Sequence, residues 1–324
     1  MSSTASNQVA KGAGTKGSSP SAANGNKRPR AIRGTTWAFW LFVGPFLLGL
    51  MIFGYVPIIW SILLSFFDAT GTVTPEVFVG IDNYVTILKD AAFISSLGTF
   101  TIFAVFIVPL TFAASLALAL LVNQVKIARA FFRSVFFLPT ACSYVLASLI
   151  WKLSIFNGVR FGLANTILSA LDIEPIAWLS TLDPPWYWIP LVTVRLWLQL
   201  GFYMILFIAG LQRIPTELYE AAYVDGAKPG WQVFRYITLP QLRTISIAVL
   251  ILNLIAAYQA FDEFYNLVGS VNDARPPLLY LYGVALGAGQ DLGIGSAGSV
   301  IVGVIIMVLT LTQAKIFGFG RSSD

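Results

Sequence analysis

Gln212-Arg213-Ile214-Pro215-Thr216-Glu217-Leu218-Tyr219-Glu220-Ala221-Ala222-Tyr223-Val224-Asp225-Gly226-Ala227, followed by Trp231, Phe234 and Ile237-Thr238-Leu239-Pro240, is the stretch on which the architecture turns. Pro215 suits a helix start, because its fixed φ is helical and its missing N–H is one the first turn leaves unpaired anyway. Thr216 and Glu217 fall in that first turn, where a carboxylate meets the positive end of the helix dipole. Ala221 and Ala222 offer a smooth face that another backbone can approach. Asp225-Gly226 closes the helix with a residue that accepts left-handed geometry. A second short helix carries Trp231 and Phe234 and is expected to stop at Pro240. Residues 212–243 therefore read as a helix–turn–helix with aromatic and acidic anchors. Alone, they fit either a loop packed under its own protein or a helix docked in a partner's groove.

Outward from this loop the chain is apolar. Segments 187–211 and 244–266 flank it, and 37–67, 98–122, 133–156 and 293–316 complete a set of six. Each supplies the ~20 residues needed to cross ~30 Å of hydrocarbon. Of the 324 residues, 57% are hydrophobic and only 11% charged, against about 25% charged in soluble domains. Mean hydropathy is +0.77. A soluble fold is excluded. Histidine is absent, which excludes His-dependent triads, His metal sites and His proton relays. Cys142 is the sole cysteine, so no intrachain disulfide or Cys-rich metal site can form, and it reads as a packing residue of the third span. The run Gly12 to Ser18 misses phosphate-loop spacing and has no preceding strand.

Residues 1–34 read as a disordered basic tail ending in Lys27, Arg28, Arg30 and Arg33. The apolar stretch after it is too long for a signal peptide. The expected organisation is this tail, a first spanning helix with its outer loop (35–92), a five-helix core (93–316) and a short C-terminal tail (317–324). With the tail inside, fifteen of the 20 basic residues fall on inner segments, while Asp68, Glu76, Asp82, Asp90, Asp172, Glu174, Asp183, Asp273 and Asp291 lie outside. Both termini are thus expected on the cytoplasmic side of the plasma membrane. Placed this way, the charges serve topology and not nucleic acid. Pro45, Pro57, Pro109, Pro139 and Pro190 punctuate the spans, either as kinked packing or as helices around a cavity. No internal repeat is visible, which argues against an inverted-repeat secondary transporter.

Ionisable groups at membrane depth are costly and mark function or helix pairing. Arg195 lies about eight residues into the fourth span, ~12 Å deep. With Gln199 and Phe202 it forms an i, i+4, i+7 face, with Tyr203 beside it. On the fifth span Asn253, Ala256, Gln259, Ala260 and Glu263 form a small-and-polar stripe, with Asp262 on another face. Glu263 is the first candidate partner for Arg195 and Asp262 the second. Aromatics beside amides and carboxylates suit a sugar; the alternative is interhelical glue. An Arg195 donating directly to substrate would favour a phosphorylated polyol.

Glu220-Ala221-Ala222, Asp225-Gly226-Ala227 and Ile237-Thr238-Leu239-Pro240 resemble the EAA loop of ABC importer permeases. Supporting matches are Gly80-Ile81-Asp82-Asn83-Tyr84, Phe131-Phe132-Arg133, Phe136-Phe137-Leu138-Pro139, Ile150-Trp151, Ala209 to Pro215, and Phe261-Asp262. Over about 37–316 the chain resembles the carbohydrate-uptake, maltose-type permeases. The resemblance implies an all-α membrane protein of type I ABC importer permease architecture with six transmembrane helices. It implies ATPase coupling through Glu220, Ala221, Ala222, Asp225 and Gly226. The membrane-depth residues read above, Arg195, Gln199, Phe202, Tyr203, Asn253, Gln259 and Glu263, are the candidates for the substrate path of such a permease. It implies a second homologous permease, two ATPase subunits that hold ATP and Mg, and an external binding protein. The chain itself would bind no metal or cofactor, catalyse nothing and lie in membrane lipid. Two departures stand out: the Gly226–Ile237 interval is one residue longer than the pattern, with Pro229-Gly230 the expected insertion site, and 269–277 lacks the Gly-Gly-Gly-Pro motif. An ion-coupled secondary transporter would leave the loop unexplained; a membrane anchor for a cytoplasmic complex would leave the polar stripes unexplained.

Overall fold

The computed structural model describes residues 33–158, 161–181, 183–269 and 275–317. Residues 1–32 of the expected N-terminal tail, 270–274 of the outer loop and 318–324 of the C-terminal tail lie outside these. The chain divides into two compact units at Val56. In the first, the described part is α1 (Arg33–Leu50) and a π-helical turn, Met51–Tyr55.

The second unit opens with α2 (Val56–Leu64) and a two-residue hairpin, β1 (Phe67–Asp68) against β2 (Val77–Phe78), paired antiparallel with Phe67 opposite Phe78. Then follow α3 (Asp82–Lys89), the 34-residue α4 (Ala91–Gln124), α5 (Arg129–Phe137), α6 (Tyr144–Ile150), α7 (Leu163–Ala170) and α8 (Trp188–Leu211). The expected loop holds α9 (Thr216–Val224), α10 (Trp231–Val233) and α11 (Leu239–Gln241). The chain ends with α12 (Arg243–Tyr258), α13 (Asp262–Leu267), α14 (Pro277–Leu286) and α15 (Leu292–Phe317).

Among the described residues four helices are long and apolar enough to cross a membrane: Phe39–Leu64, Ala91–Gln124, Trp188–Leu211 and Leu292–Ile316. Two further helix pairs are apolar enough only when taken together and are sharply bent, as a broken span or a re-entrant loop would be. Arg129–Ala141 meets Tyr144–Ile155 at 96°, and Trp231–Gln241 meets Arg243–Tyr258 at 72°. The protein is mostly helical and multi-pass. The expected segments 133–156 and 244–266 are each interrupted, the first by its 96° bend and the second by a break after Tyr258. In the first, Pro139 sits in a 3₁₀ turn (Leu138–Ala141), Cys142 is extended, and Ser143 starts a new helix by accepting the Leu146 N–H at 3.1 Å. In the second, the helix ends at Tyr258 and resumes at Asp262.

The second helix of the loop ends at Gln241, one residue past the stop expected at Pro240. The turn before the proline, Phe234–Thr238, is π-helical, and the Leu239 N–H reaches back five residues to the Phe234 carbonyl. A widened turn gives the proline ring room and leaves its missing N–H without consequence. The same device precedes Pro57, where the Val56 N–H bonds the Met51 carbonyl.

Of three buried clusters among the described residues, a small one joins Ile87, Phe93, Leu281 and Val302, and two larger ones pack α4, α8 and α12. One joins Phe100, Phe103 and Ile107 of α4 to Leu191 and Val194 of α8, Tyr258 and Phe264. The other joins Leu116 and Ala119 to Met204, Phe207, Leu211 and Leu242. Gly201 lets α5 lie directly on α8: a Cβ there would sit 1.9 Å from the Phe136 carbonyl oxygen. Thr140 Oγ1 donates to the Leu198 carbonyl across the same contact, at 3.1 Å. At the head of α4, Asp90 accepts from the Ala92 and Phe93 N–H groups at 2.7 and 3.2 Å and from Tyr280 Oη at 2.6 Å. The Tyr280 hydrogen bond, helped by the two N–H groups, holds the Asp90 carboxyl below its ordinary value, against a smaller upward push from burial. Burial and the carboxylate push Tyr280 up to about 12.

Candidate functional site

Two places collect the expected functional residues. The first is the loop. Pro215 precedes α9, and Glu217 lies in its first turn. Gly226 takes φ +84°, and the Gly226 and Ala227 N–H groups close the end on the Tyr223 and Ala222 carbonyls at 3.1 and 2.9 Å. The chain then turns through Gly230 at φ +100° into Trp231–Gln241. Tyr219 Oη and Thr238 Oγ1, 3.2 Å apart, tie the two helices. Glu220, Ala221, Asp225 and Gly226 are exposed, whereas Ala222 is buried in the chain's own packing. The expected smooth alanine pair is therefore split, since neighbours on a helix point about 100° apart. Val224 is 88% exposed and Trp231 and Tyr236 74% each, so the loop presents apolar and aromatic side chains outward. Between it and the ends of α4 and α8 lies a cavity of about 640 Å³, lined by Asn123, Gln124, Tyr219, Tyr223, Trp231 and Phe234 among others.

The second place is within the helices. Arg195 is 3% exposed and Glu263 1%. Arg195 Nη1 donates to Glu263 Oε1, and Nη2 donates to the Ala256 carbonyl. The rings of Phe103 and Tyr144 each lie 5.6 Å from the guanidinium carbon. The break in the fifth helical segment explains this geometry. Ala256 lies in the last turn of α12, where the dipole is negative and the backbone gives its carbonyl only a long 3.3 Å hydrogen bond, from the Gln259 N–H. Glu263 lies in the first turn of α13, where a carboxylate is favoured. One guanidinium thus answers both ends of the gap.

A cavity of about 180 Å³ opens here, lined by Tyr144, Arg195, Gln199, Gln259, Asp262 and Glu263, with Ala256 and Phe261 completing the wall. A neighbouring cavity of about 240 Å³ shares Tyr144 and Gln199 and adds Thr140, Cys142, Phe202 and Tyr203. Six of the seven expected path residues thus line one cavity or the other. Asn253 does not: fully buried, its Nδ2 donates to the Val108 carbonyl of α4 at 3.1 Å, a tie between helices. The stripe on the fifth span is not one helical face, because the helix ends before Gln259. For the same reason Asp262, expected on another face, lies on the cavity wall. Tyr144 was missed from the sequence, although Pro139 followed by Ser143 is a stop-and-restart signal that would have turned it inward.

Residues 112–317 match the family of binding-protein-dependent transport system inner membrane components. The chain belongs to this family. The matched segment contains the whole loop and both cavities. Curated relatives agree over nearly the full length. This inner membrane component is 33% identical over 290 residues to the probable starch degradation products transport system permease protein AmyD of Thermoanaerobacterium thermosulfurigenes, covering 89% of this chain and 96% of that one. It is 32% identical to the lactose transport system permease protein LacF of Rhizobium radiobacter, covering 85% and 92%. It is 31% identical to the trehalose/maltose transport system permease protein MalF of Thermococcus litoralis, covering 87% and 94%. A crystal structure of a bacterial ABC transporter involved in import of the acidic polysaccharide alginate shares its fold, with TM-score 0.77 at 23% identity over 89% of this chain and 98% of that one. A second crystal structure, of an alginate transporter in complex with a pentasaccharide-bound periplasmic protein, superposes at TM-score 0.74 with 22% identity, covering 87% and 94%.

Proposed function

We propose that the chain is a transmembrane permease subunit of an ATP-driven, binding-protein-dependent importer for a sugar or related polyol. The observation that carries this reading is the exposed loop of α9 to α11, whose Glu220, Val224, Trp231 and Tyr236 project from a braced helix pair. The starch-product, lactose and trehalose/maltose relatives support the substrate class. In this reading the chain crosses the cytoplasmic membrane six times, each bent pair counting as one crossing, with both termini cytoplasmic. It is organised as tail 1–34, first span and outer loop 35–92, core 93–316 and tail 317–324.

A second homologous permease completes the pore. Two ATPase subunits, which hold ATP and Mg, dock at this loop and its counterpart through Glu220, Ala221, Ala222, Asp225 and Gly226. An external binding protein delivers substrate, as the alginate complex suggests by analogy. Closure of the ATPases moves the loop, and the helices around Arg195, Gln199, Phe202, Tyr203, Gln259 and Glu263 switch access between the two sides. Asn253 takes part as a helix tie. The chain hydrolyses nothing and holds no cofactor of its own.

The test is Glu220→Lys in the complete complex, paired with Ala221→Trp. Ala221 is chosen because a bulky group at the buried Ala222 would disturb the loop itself. Uptake should fall about tenfold or more, as charge reversal at an interface implies, while the inserted amount stays at the wild-type level. Wild-type uptake and substrate-stimulated ATP hydrolysis in both variants would refute the assignment.

A further inference from the structure

The cavity beside Arg195 holds one cation on its wall, which at first sight suits an anionic ligand. The bonding says otherwise. Arg195 gives Nη1 to Glu263 and Nη2 to the Ala256 carbonyl. Its charge is therefore matched by a full carboxylate and by the negative end of α12. Its Nε–H is buried and without a protein partner among the described residues, and each Nη keeps a second N–H beyond these two bonds. Gln199 Oε1, on the same wall, is likewise buried and unpartnered. Asp262 is exposed, lines the same cavity and makes no ion pair among the described residues. Lys152 is not on the wall; its ammonium ends on the Asn266 carbonyl at 2.9 Å.

We propose that this cavity admits uncharged polyhydroxyl compounds and rejects the same compounds carrying a carboxylate or phosphate, with Asp262 as the discriminating group. The inference rests on the importer reading and narrows its substrate class. The wall offers the spare N–H groups of Arg195, the Gln199 Oε1 acceptor, the Gln259 amide, the Asp262 carboxylate, and the rings of Tyr144 and Phe261. A hydroxyl both donates and accepts, so it can serve Arg195 Nε–H, Gln199 Oε1 and Asp262 in turn. A carboxylate or phosphate group only accepts: it could use the Arg195 and Gln259 donors, but it has no proton to give Gln199 Oε1 and it meets the Asp262 charge. The wall carries Arg195 against Asp262 and Glu263, a net charge of one negative, and repulsion is stronger here than in water. The fold does not dictate this choice, since the alginate importer of the same fold is involved in import of an acidic polysaccharide. The side chains do.

The experiment uses the complete complex in proteoliposomes. Neutral trisaccharides of glucose, galactose and arabinose are each paired with the same sugar oxidised to a terminal carboxylate, and the best-transported pair is scored. The neutral member should be taken up about tenfold faster, and Asp262→Asn should shrink that ratio severalfold, whatever the absolute rate. A second readout needs no transported sugar. Cys142, the sole cysteine of the chain, lines the neighbouring cavity. With the other subunits free of cysteine, cationic methanethiosulfonate should modify it about tenfold faster than the anionic reagent, relative to a free thiol, and Asp262→Asn should remove the difference. A ratio unmoved by Asp262→Asn, or a preference for the anionic member, overturns this inference and leaves the importer reading intact. A complex that moves neither member of any pair overturns the importer reading and this inference with it.

Discussion

Gly201→Ala is the most demanding test of the helix packing. A Cβ at this position lies 1.9 Å from the Phe136 oxygen, 2.6 Å from its carbonyl carbon and 2.8 Å from Phe137 Cα. All three obstacles are backbone of α5, so no side-chain rotation relieves them. Restoring an ordinary contact of 3.4 Å moves α5 away by roughly 1.5 Å. That motion also stretches the Thr140–Leu198 hydrogen bond, now 3.1 Å. Overpacking costs about 1–3 kcal/mol; where rigid backbone must shift the upper end applies, about 3 kcal/mol, and where side chains can turn the lower end. Gly210→Ala is the matched control. Its Cβ meets Leu242 Cδ2 at 2.9 Å and Ile245 Cγ1 at 3.0 Å, which can turn about their side-chain torsions, so the change stays within about 1 kcal/mol. Fluorescence-detected gel filtration of the detergent-solubilised complex after graded heating measures both. Gly201→Ala should melt several degrees lower than Gly210→Ala at equal membrane insertion. If Gly201→Ala melts no lower than its control, the close α5–α8 approach is wrong.

The remaining predictions concern two ionisable pairs. Arg195→Met strands the buried Glu263 and should cost about 3–5 kcal/mol, while Arg195→Met with Glu263→Gln should recover most of it; simple addition of the two single effects in the same thermal assay would count against a direct pair. Asp90 has a folded pKa below its ordinary 3.8, so its contribution is complete above that value and fades as pH falls through the folded one. Tyr280→Phe removes the largest cause, so it should lower stability at neutral pH and flatten the loss on acidification. An unchanged acid limb in a pH series of melting curves would contradict that cause.

Where the spans are straight, hydropathy located them closely. The expected 187–211 is observed as Trp188–Leu211, and 98–122 and 293–316 fall inside α4 and α15. The same measure failed at the bends because it counts apolar length and carries no direction. At 142–143 a local cue existed, Pro139 followed by the capping Ser143. At 259–261 no proline or glycine marks the break. Beside it the Ala256 carbonyl accepts from Arg195, 61 residues away, a contact no local pattern contains. The Arg195–Glu263 pairing was nonetheless legible, because an unpaired guanidinium at that depth demands a carboxylate. Asp262 was misplaced by the assumption of an unbroken helix. In the loop, Pro215 and Gly226 announced the ends of α9 through backbone rules alone, whereas the split of Ala221 from Ala222 depends on which side of α9 packs, and the residues themselves are identical.

The π-helical turn Phe234–Thr238 has a consequence for length. A turn closed by a five-residue reach holds one residue more than its α-helical equivalent, and so acts as a dislocation that takes up an insertion without shifting what lies on either side. The Gly226–Ile237 interval is one residue longer than the pattern it resembles. A turn of this kind lets such a chain keep Gly226 at its left-handed corner and Leu239-Pro240 at the entrance to α12. A residue taken up in such a turn adds girth rather than length, so an insertion at Pro229-Gly230 need not alter the spacing between the loop's exposed side chains and the membrane helix behind them.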